Sequence, residues 1–282
     1  MNNILTIDLE EWFHANYNRR ILNAFDENTQ VRVIDNTLRL LDYFSIHGHK
    51  ATFFVLGYIA EKHPDLIKEI YERGHEIASH GYVHELIYKQ TRDEFKYDVQ
   101  KSIVLIEDII NSKVIGYRAP SWSINSETLW ALKVLEELGL VYDASIFPIK
   151  TYLYGIPTAL RFTHVPQYNG SYIDILEMPM STIRIFNKNI PFSGGAYFRV
   201  LPYCFIKYCI NILNKRGNPA LIYLHPREID EHQPKLKLDF IDYMVHYTGI
   251  KGCENKLIKL LKDFRFTSIQ EYYGLGSDDY GI

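Results

Sequence analysis

The stretch Gly74-His75-Glu76-Ile77-Ala78-Ser79-His80-Gly81-Tyr82-Val83-His84 decides how this chain folds. Its first five residues read as a turn running into a short apolar strand, and two imidazoles four positions apart follow at once. A helical turn of the backbone there would let both face one metal ion. The pair then sits at the carboxyl end of a strand, where α/β proteins place their chemistry. His-x-x-x-His alone is a weak signal. It gains force because an acidic strand end at Asp8 and Glu10, an Arg118-Ala119-Pro120 turn and a Leu224-His225-Pro226 turn occupy similar places in other strand–helix units.

On either side of this stretch, strands and helices alternate. A first strand ends at Asp8, and helical periodicity over residues 31–47 stops at Gly48. Residues 52–56 form a buried apolar strand, and Pro64 opens a helix running to residue 73. A long helix is expected over 92–110, and a shorter one, capped by Asn125 or Ser126, reaches residue 138. The helical period then vanishes over 148–198, where alternating segments such as 172–177 and 182–185 suggest inserted hairpins. A helix over 202–215, a strand over 220–224, helices near 239–246 and 254–264 and a strand near 266–269 complete the pattern. Such units favour a parallel sheet closed into an irregular barrel. The expectation is one α/β domain over 1–282, with a core over about 4–230 and a helical extension beyond it.

Composition narrows the partners. With 282 residues, 47% hydrophobic and 23% charged, the chain is ordinarily globular. Thirty-one Lys plus Arg against 34 Asp plus Glu give a net charge of −3, and no basic stripe reverses that balance, which argues against nucleic acid. Cys204, Cys209 and Cys253 form no CxxC and read as reduced structural thiols. No window resembles a signal peptide or a membrane span, so the expected compartment is the cytoplasm. The 22 tyrosines, 15 phenylalanines and 3 tryptophans suit sugar faces, although most belong to packing.

Two neutral histidines and one carboxylate can hold a divalent ion and leave a position open for water, whose pKa the ion lowers towards about 7. That assembly suits amide or ester hydrolysis. Asp8 and Glu10, two apart on a strand, share a face; one can bind the ion while the other takes a proton from water. Taken alone, such a pair is more often a solvated strand end. Glu11 would face the other side. His225 ends an apolar strand, and by itself a buried, hydrogen-bonded histidine explains it equally well. Arg118, extended by the proline two residues on, can orient a catalytic carboxylate or pair with a structural one. His14, His47, His49, His63, His75, His164, His232 and His246 are expected in exposed or hydrogen-bonded places without chemistry.

Taken together, the set resembles the polysaccharide deacetylase family (the NodB-homology domain, carbohydrate esterase family 4). Thr6-Ile7-Asp8-Leu9-Glu10-Glu11-Trp12 stands in the place of its first motif, His80-Gly81-Tyr82-Val83-His84 of the second, Arg118-Ala119-Pro120-Ser121-Trp122 of the third and Tyr223-Leu224-His225 of the last. The resemblance is closest to the subgroup with a DUF3473-type C-terminal extension, through 142–148, 194–199 and 225–230, and covers about residues 4–270. It implies a distorted barrel with inserted hairpins and a divalent metal, usually zinc. The implied reaction removes an acetyl group from an N-acetylated saccharide. By the same resemblance Asp8 is the base, His225 the acid and Arg118 the group that orients Asp8, with Glu10, His80 and His84 as metal ligands. Asp143 is implied as a supporting acid and Glu177 as a candidate to steady His225. Tyr82 and the Pro120 turn are candidates for an oxyanion N–H, with Trp122 beside that turn. Gly194 is a point of close approach for substrate or backbone. Glu10 stands where the family has an aspartate, one residue further along, and no Asp-x-x-Asp-Trp is present.

Other readings stay open at this point. A catalytically silent carbohydrate-binding barrel would keep the fold without turnover, and a hydrolase of small non-sugar amides would use the same metal centre. A non-haem iron oxygenase triad is disfavoured, because the Arg-x-Pro and His-Pro turns give it no support.

Overall fold

Strand β1 (Asn2–Leu9) is the hub of the sheet in the computed structural model, which describes residues 1–14, 16, 30–151 and 154–276. Leu5, Ile7 and Leu9 pack into the larger apolar cluster with the helices, whereas Ile4 belongs to a second cluster on the other face. By strand alternation Thr6 and Asp8 share the Ile4 face. The other strands are β2 (Thr52–Val55), β3 (Glu76–Ser79), β4 (Gly116–Tyr117), β5 (Tyr142–Asp143), β6 (Gln167–Tyr168), β7 (Ser171–Tyr172), β8 (Leu176–Glu177), β9 (Thr182–Ile185), β10 (Lys188–Pro191), β11 (Leu221–Leu224) and β12 (Arg265–Thr267). The main sheet runs β11-β1-β2-β3-β4-β5-β8, with β12 pairing the start of β1, and every pairing in it is parallel. It curls into a half-barrel, the α/β architecture expected.

Short strands with every residue buried, such as β2 and β11, are what a parallel sheet covered on both faces requires. Helices α1 (Val33–His47), α2 (Gly57–Lys62), α3 (Pro64–Glu72), α4 (Arg92–Ile110) and α5 (Trp130–Glu137) follow β1 to β4 on the outer face. The bounds of α4 coincide with the expected ones because Thr91 and Glu94 form a reciprocal capping box and Asn111 closes the helix in a left-handed conformation. Later come α6 (Gly195–Val200), α7 (Tyr203–Lys215), α8 (Phe240–Tyr247), α9 (Cys253–Asp263) and α10 (Ile269–Tyr273). No helix among the described residues is long and apolar enough to cross a membrane.

Two expectations change. Leu176–Glu177 is not part of an inserted hairpin; it is β8, parallel to β5 in the main sheet. The hairpins of the insert are β6–β7 and β9–β10. Helix α5 starts at Trp130 because Asn125 is spent on a local turn, its side chain taking the Glu127 N–H and its own N–H reaching Thr128 Oγ1. The strand expected near 266–269 is β12, which pairs with the first residues of β1.

Candidate active site

The upper end of the sheet, where the strands finish, gathers the charged residues. Asp8 lies near the end of β1, and Glu10 follows in a tight turn whose N–H bonds the Asp8 carbonyl. Arg118, fully buried, crosses the interior from the end of β4. Its Nη1 donates to Asp8 Oδ1 at 2.6 Å and to Thr6 Oγ1 at 2.9 Å, while Nε donates to the Ala144 carbonyl. Its guanidinium lies 4.0 Å above the Phe54 ring centre. One Asp8 oxygen is thus committed to Arg118; the other, Oδ2, faces His225 Nε2 at 3.9 Å.

The two histidines converge, but not by the helical turn expected. Residues 80–84 are a loop in which Gly81 (φ +74°) and His84 (φ +58°) are both left-handed. A side chain at Gly81 would also run into the Asp98 carboxylate, with its Cβ 2.7 Å from Oδ2. The loop is clamped from two sides. Asp98 on α4 accepts the N–H groups of Tyr82 at 2.7 Å and Val83 at 3.2 Å, and the first N–H groups of α2 donate to the Gly81 and Tyr82 carbonyls. The N–H of Tyr82 is therefore spent on Asp98 and is not an oxyanion donor. Its phenol points to Glu61 on the outside. Pro120 opens the turn that places Ser121 and Trp122 at the pocket wall, both with left-handed backbones.

Glu10, His80 and His84 offer ligand atoms that all lie within 4.8 Å of one another, and all three are buried. His80 Nδ1–H donates to the Arg118 carbonyl at 2.8 Å, which turns the unprotonated Nε2 outward in the manner of a metal-binding histidine. Burial pushes its pKa down to about 4, so it is neutral at pH 7. Glu10 Oε2 stands 2.7 Å from His84 Nε2, and Oε1 stands 3.4 Å from His225 Nε2. Burial works against ionisation of Glu10, but the charge and hydrogen bond of His84, together with His225 and His80, hold it far below the usual carboxylate range. Two imidazoles and an ionised carboxylate are a fitting donor set for a divalent cation. Glu11 is excluded from that set: its carboxylate accepts the N–H groups of Trp12, Arg32 and Val33 and so caps α1.

The partner of His225 is not Glu177. Glu177 pairs with Asp143, accepts the Ile146 N–H, and is held protonated by burial and by the Asp143 charge. Asp143 in turn accepts from Ser145, whose hydroxyl receives the Ala119 N–H, so this pair braces the Arg118-Ala119-Pro120 turn from below. The group that faces His225 Nδ1 is Glu228, 3.7 Å away and fully buried, with Arg199 Nε 3.3 Å from the same oxygen. Burial lowers the His225 pKa, but Glu228 and Glu10 outweigh it and the net shift is upward. Glu228 follows His225 by three residues, the offset of a capping box, and that spacing was the available signal. Gly194 lies against β11: a Cβ there would fall 2.1 Å from the Tyr223 carbonyl oxygen, so the close approach is by backbone.

These residues line a cavity of about 390 Å³. Trp122 and Tyr223, ring centres 4.3 Å apart, and Tyr154 supply aromatic wall, and the buried Trp122 Nε1 has no hydrogen-bond partner among the described residues. His14, expected to be idle, also lines it, with its pKa down to about 3 through burial and the His84 charge. Arg199, Arg227 and Lys150, none of them anticipated as site residues, also line it.

Residues 16–142 match the family model described as polysaccharide deacetylase, and residues 144–274 match that of a domain of unknown function, DUF3473. The two matched stretches together span residues 16–274 and agree with the resemblance drawn from the sequence motifs. The chain is 35% identical over 106 residues to a peptidoglycan-N-acetylglucosamine deacetylase of Bacillus cereus, covering 37% of this chain and 36% of that protein. It is 33% identical over 113 residues to the peptidoglycan deacetylase-like protein FGM2 of Gibberella zeae, covering 40% and 32%. The chain thus matches about a third of the length of these relatives. The crystal structure of a polysaccharide deacetylase homologue from Mycobacterium smegmatis superposes with a TM-score of 0.59 at 19% identity, covering 97% of this chain and 90% of that one. Peptidoglycan deacetylase PdaC of Bacillus subtilis gives 0.50 at 13%, covering 97% and 91%. Both likenesses concern the fold.

Proposed function

We propose that this chain is a metal-dependent N-deacetylase that releases acetate from an N-acetylated saccharide. The observation that supports this reading best is the convergence of Glu10, His80 and His84 beside an Asp8 already fixed by Arg118. Glu10, His80 and His84 would hold the ion, with zinc the natural choice for two imidazoles and a carboxylate. When bound, such an ion polarises a carbonyl and acidifies water.

The residues of the chain do the rest. Arg118 occupies Asp8 Oδ1 and leaves Oδ2 to take the proton of the attacking water as its oxygen bonds to the acetyl carbon. His225, backed by Glu228 and with its protonated form favoured, donates from Nε2 to the sugar nitrogen as the C–N bond breaks. Acetate and the free amine result. Trp122, Tyr154 and Tyr223 give the pyranose an apolar wall. Names of relatives support a peptidoglycan-type N-acetylhexosamine as the first substrate to try. Metal analysis coupled to acetate-release assays over N-acetylhexosamine oligosaccharides and small amides tests the proposal. Metal-dependent release from a sugar is expected. Stoichiometric metal with no release from any sugar would leave the silent barrel or the small-amide hydrolase.

A further inference from the structure

The cavity carries more positive charge than the proposed reaction uses. Arg199 is engaged: Nε faces Glu228 at 3.3 Å and its terminal nitrogens donate to the Val245 and His246 carbonyls. Arg227 is not neutralised in this way. It is 7% exposed, and its Nη1 stands 3.4 Å from His246 Nε2 and from the His246 carbonyl. Among the described residues no carboxylate lies within ion-pair distance of it. His246 beside it is held neutral by burial and by the two arginine charges, and an imidazole supplies no negative charge. Glu228, a buried carboxylate that the Arg227 charge reaches, is already faced by Arg199 and His225, and a guanidinium so far out of water is unfavourable unless something supplies more counter-charge. Arg227 lines the same cavity as Asp8, His80 and His84, and exposed Lys150 adds a further cation to that lining.

We infer that Arg227 gives the pocket a subsite for an anionic oxygen group, phosphate or carboxylate, carried by the saccharide whose acetyl group is removed. A planar guanidinium with unshared N–H donors suits either group in bidentate fashion. The inference rests on the deacetylase reading for its substrate but not for its binding prediction.

The test uses the metal-loaded protein and three probes: a neutral N-acetylglucosamine oligosaccharide, a disaccharide of N-acetylglucosamine and glucuronate, and N-acetylglucosamine 1-phosphate. The readout is the ratio of kcat/KM on each anionic probe to that on the neutral one, from acetate release, in wild type, Arg227→Gln and Arg227→Lys. Wild type should favour one anionic probe by roughly 10- to 100-fold, the range for a charge-assisted hydrogen bond. The preferred probe tells carboxylate from phosphate. The ratio should fall towards one in Arg227→Gln and be partly kept in Arg227→Lys. If Arg227→Gln does not fold, the wild-type ratio and Arg227→Lys still decide. A wild-type ratio near one for both anionic probes, or a ratio unchanged by Arg227→Gln, overturns the inference while leaving deacetylation intact. If no probe releases acetate, calorimetric binding of the same sugars decides. Arg227-dependent binding of an anionic sugar keeps the subsite and removes the deacetylase reading; equal or absent binding removes the subsite.

Discussion

Two glutamates are buried at opposite ends of the same sheet, and their surroundings differ completely. Glu76 opens β3 at the lower end. There Thr52 Oγ1 and the Gln270 N–H donate to one carboxylate oxygen and the Tyr142 hydroxyl donates to the other. Glu10 follows β1 at the upper end and meets imidazoles in place of hydrogen-bond donors from the scaffold. Burial pushes Glu76 upward in pKa, whereas the histidines pull Glu10 down. The lower carboxyl is saturated by the fold and ties β2, β3, β5 and α10 together. The upper one meets only imidazoles, which are themselves ligands for a cation. Burial alone therefore does not mark a functional carboxylate; what fills its coordination sphere does.

Removing a ligand from the upper end should have the largest effect. His84→Ala is expected to lose bound metal and all measurable turnover while keeping the wild-type circular dichroism spectrum; a fully metallated His84→Ala protein would refute the assignment. Asp8→Asn should keep the metal and lose roughly 10²- to 10⁴-fold in kcat, the usual weight of a general base. Retention of wild-type kcat would remove Asp8 from that role. Asp98→Ala removes no ligand but frees the loop that carries His84. A 10- to 100-fold weaker metal affinity is expected, as for other supporting residues, and titration against a chelator measures it.

The smallest effect belongs to Glu76→Gln, which should leave metal content and kcat unchanged and destabilise the fold by about 1–3 kcal/mol through mismatched donors. Its pH dependence gives the sign. Because the folded-state pKa of Glu76 is raised, the folded protein holds this proton where the unfolded chain has lost it. Its contribution is complete below the ordinary carboxyl value and fades as pH climbs to the raised one. The gap between wild type and Glu76→Gln in denaturant melts should therefore narrow as pH rises from about 4. A gap that widens would contradict a raised pKa.

The strand–helix order was legible because fully buried parallel strands show as short apolar runs, and helices α1 and α4 carry clear stop or capping residues. Leu176–Glu177 was misread because a two-residue strand inside an alternating segment looks like half of a hairpin. Helix α2 has only six residues and no side-chain cap at Leu56. In the site, Asp8, Glu10, His80, His84, Arg118 and His225 could be named because each ends or follows a strand. The route by which His84 reaches the others could not, since it depends on a left-handed loop held by Asp98 from another element. Glu228 lies three residues from His225 at the offset of a capping box, whereas Glu177, distant in sequence, is taken up by Asp143. Arg199 and Arg227 had no spacing to announce them, because a pocket wall assembled from a short helix and a turn has no period.

The hub strand β1 has a kinetic consequence. Thr6 Oγ1 bonds the Ile222 carbonyl across 216 residues, and β1 pairs with β11 along four positions. Strand β1 therefore waits with one edge unpaired until β11 has been synthesised. Closure over so long a loop is slow, and an apolar edge left bare for that time is an invitation to aggregation. Expression yield of this protein should be set by how well that edge is shielded during synthesis, more than by the stability of the finished sheet.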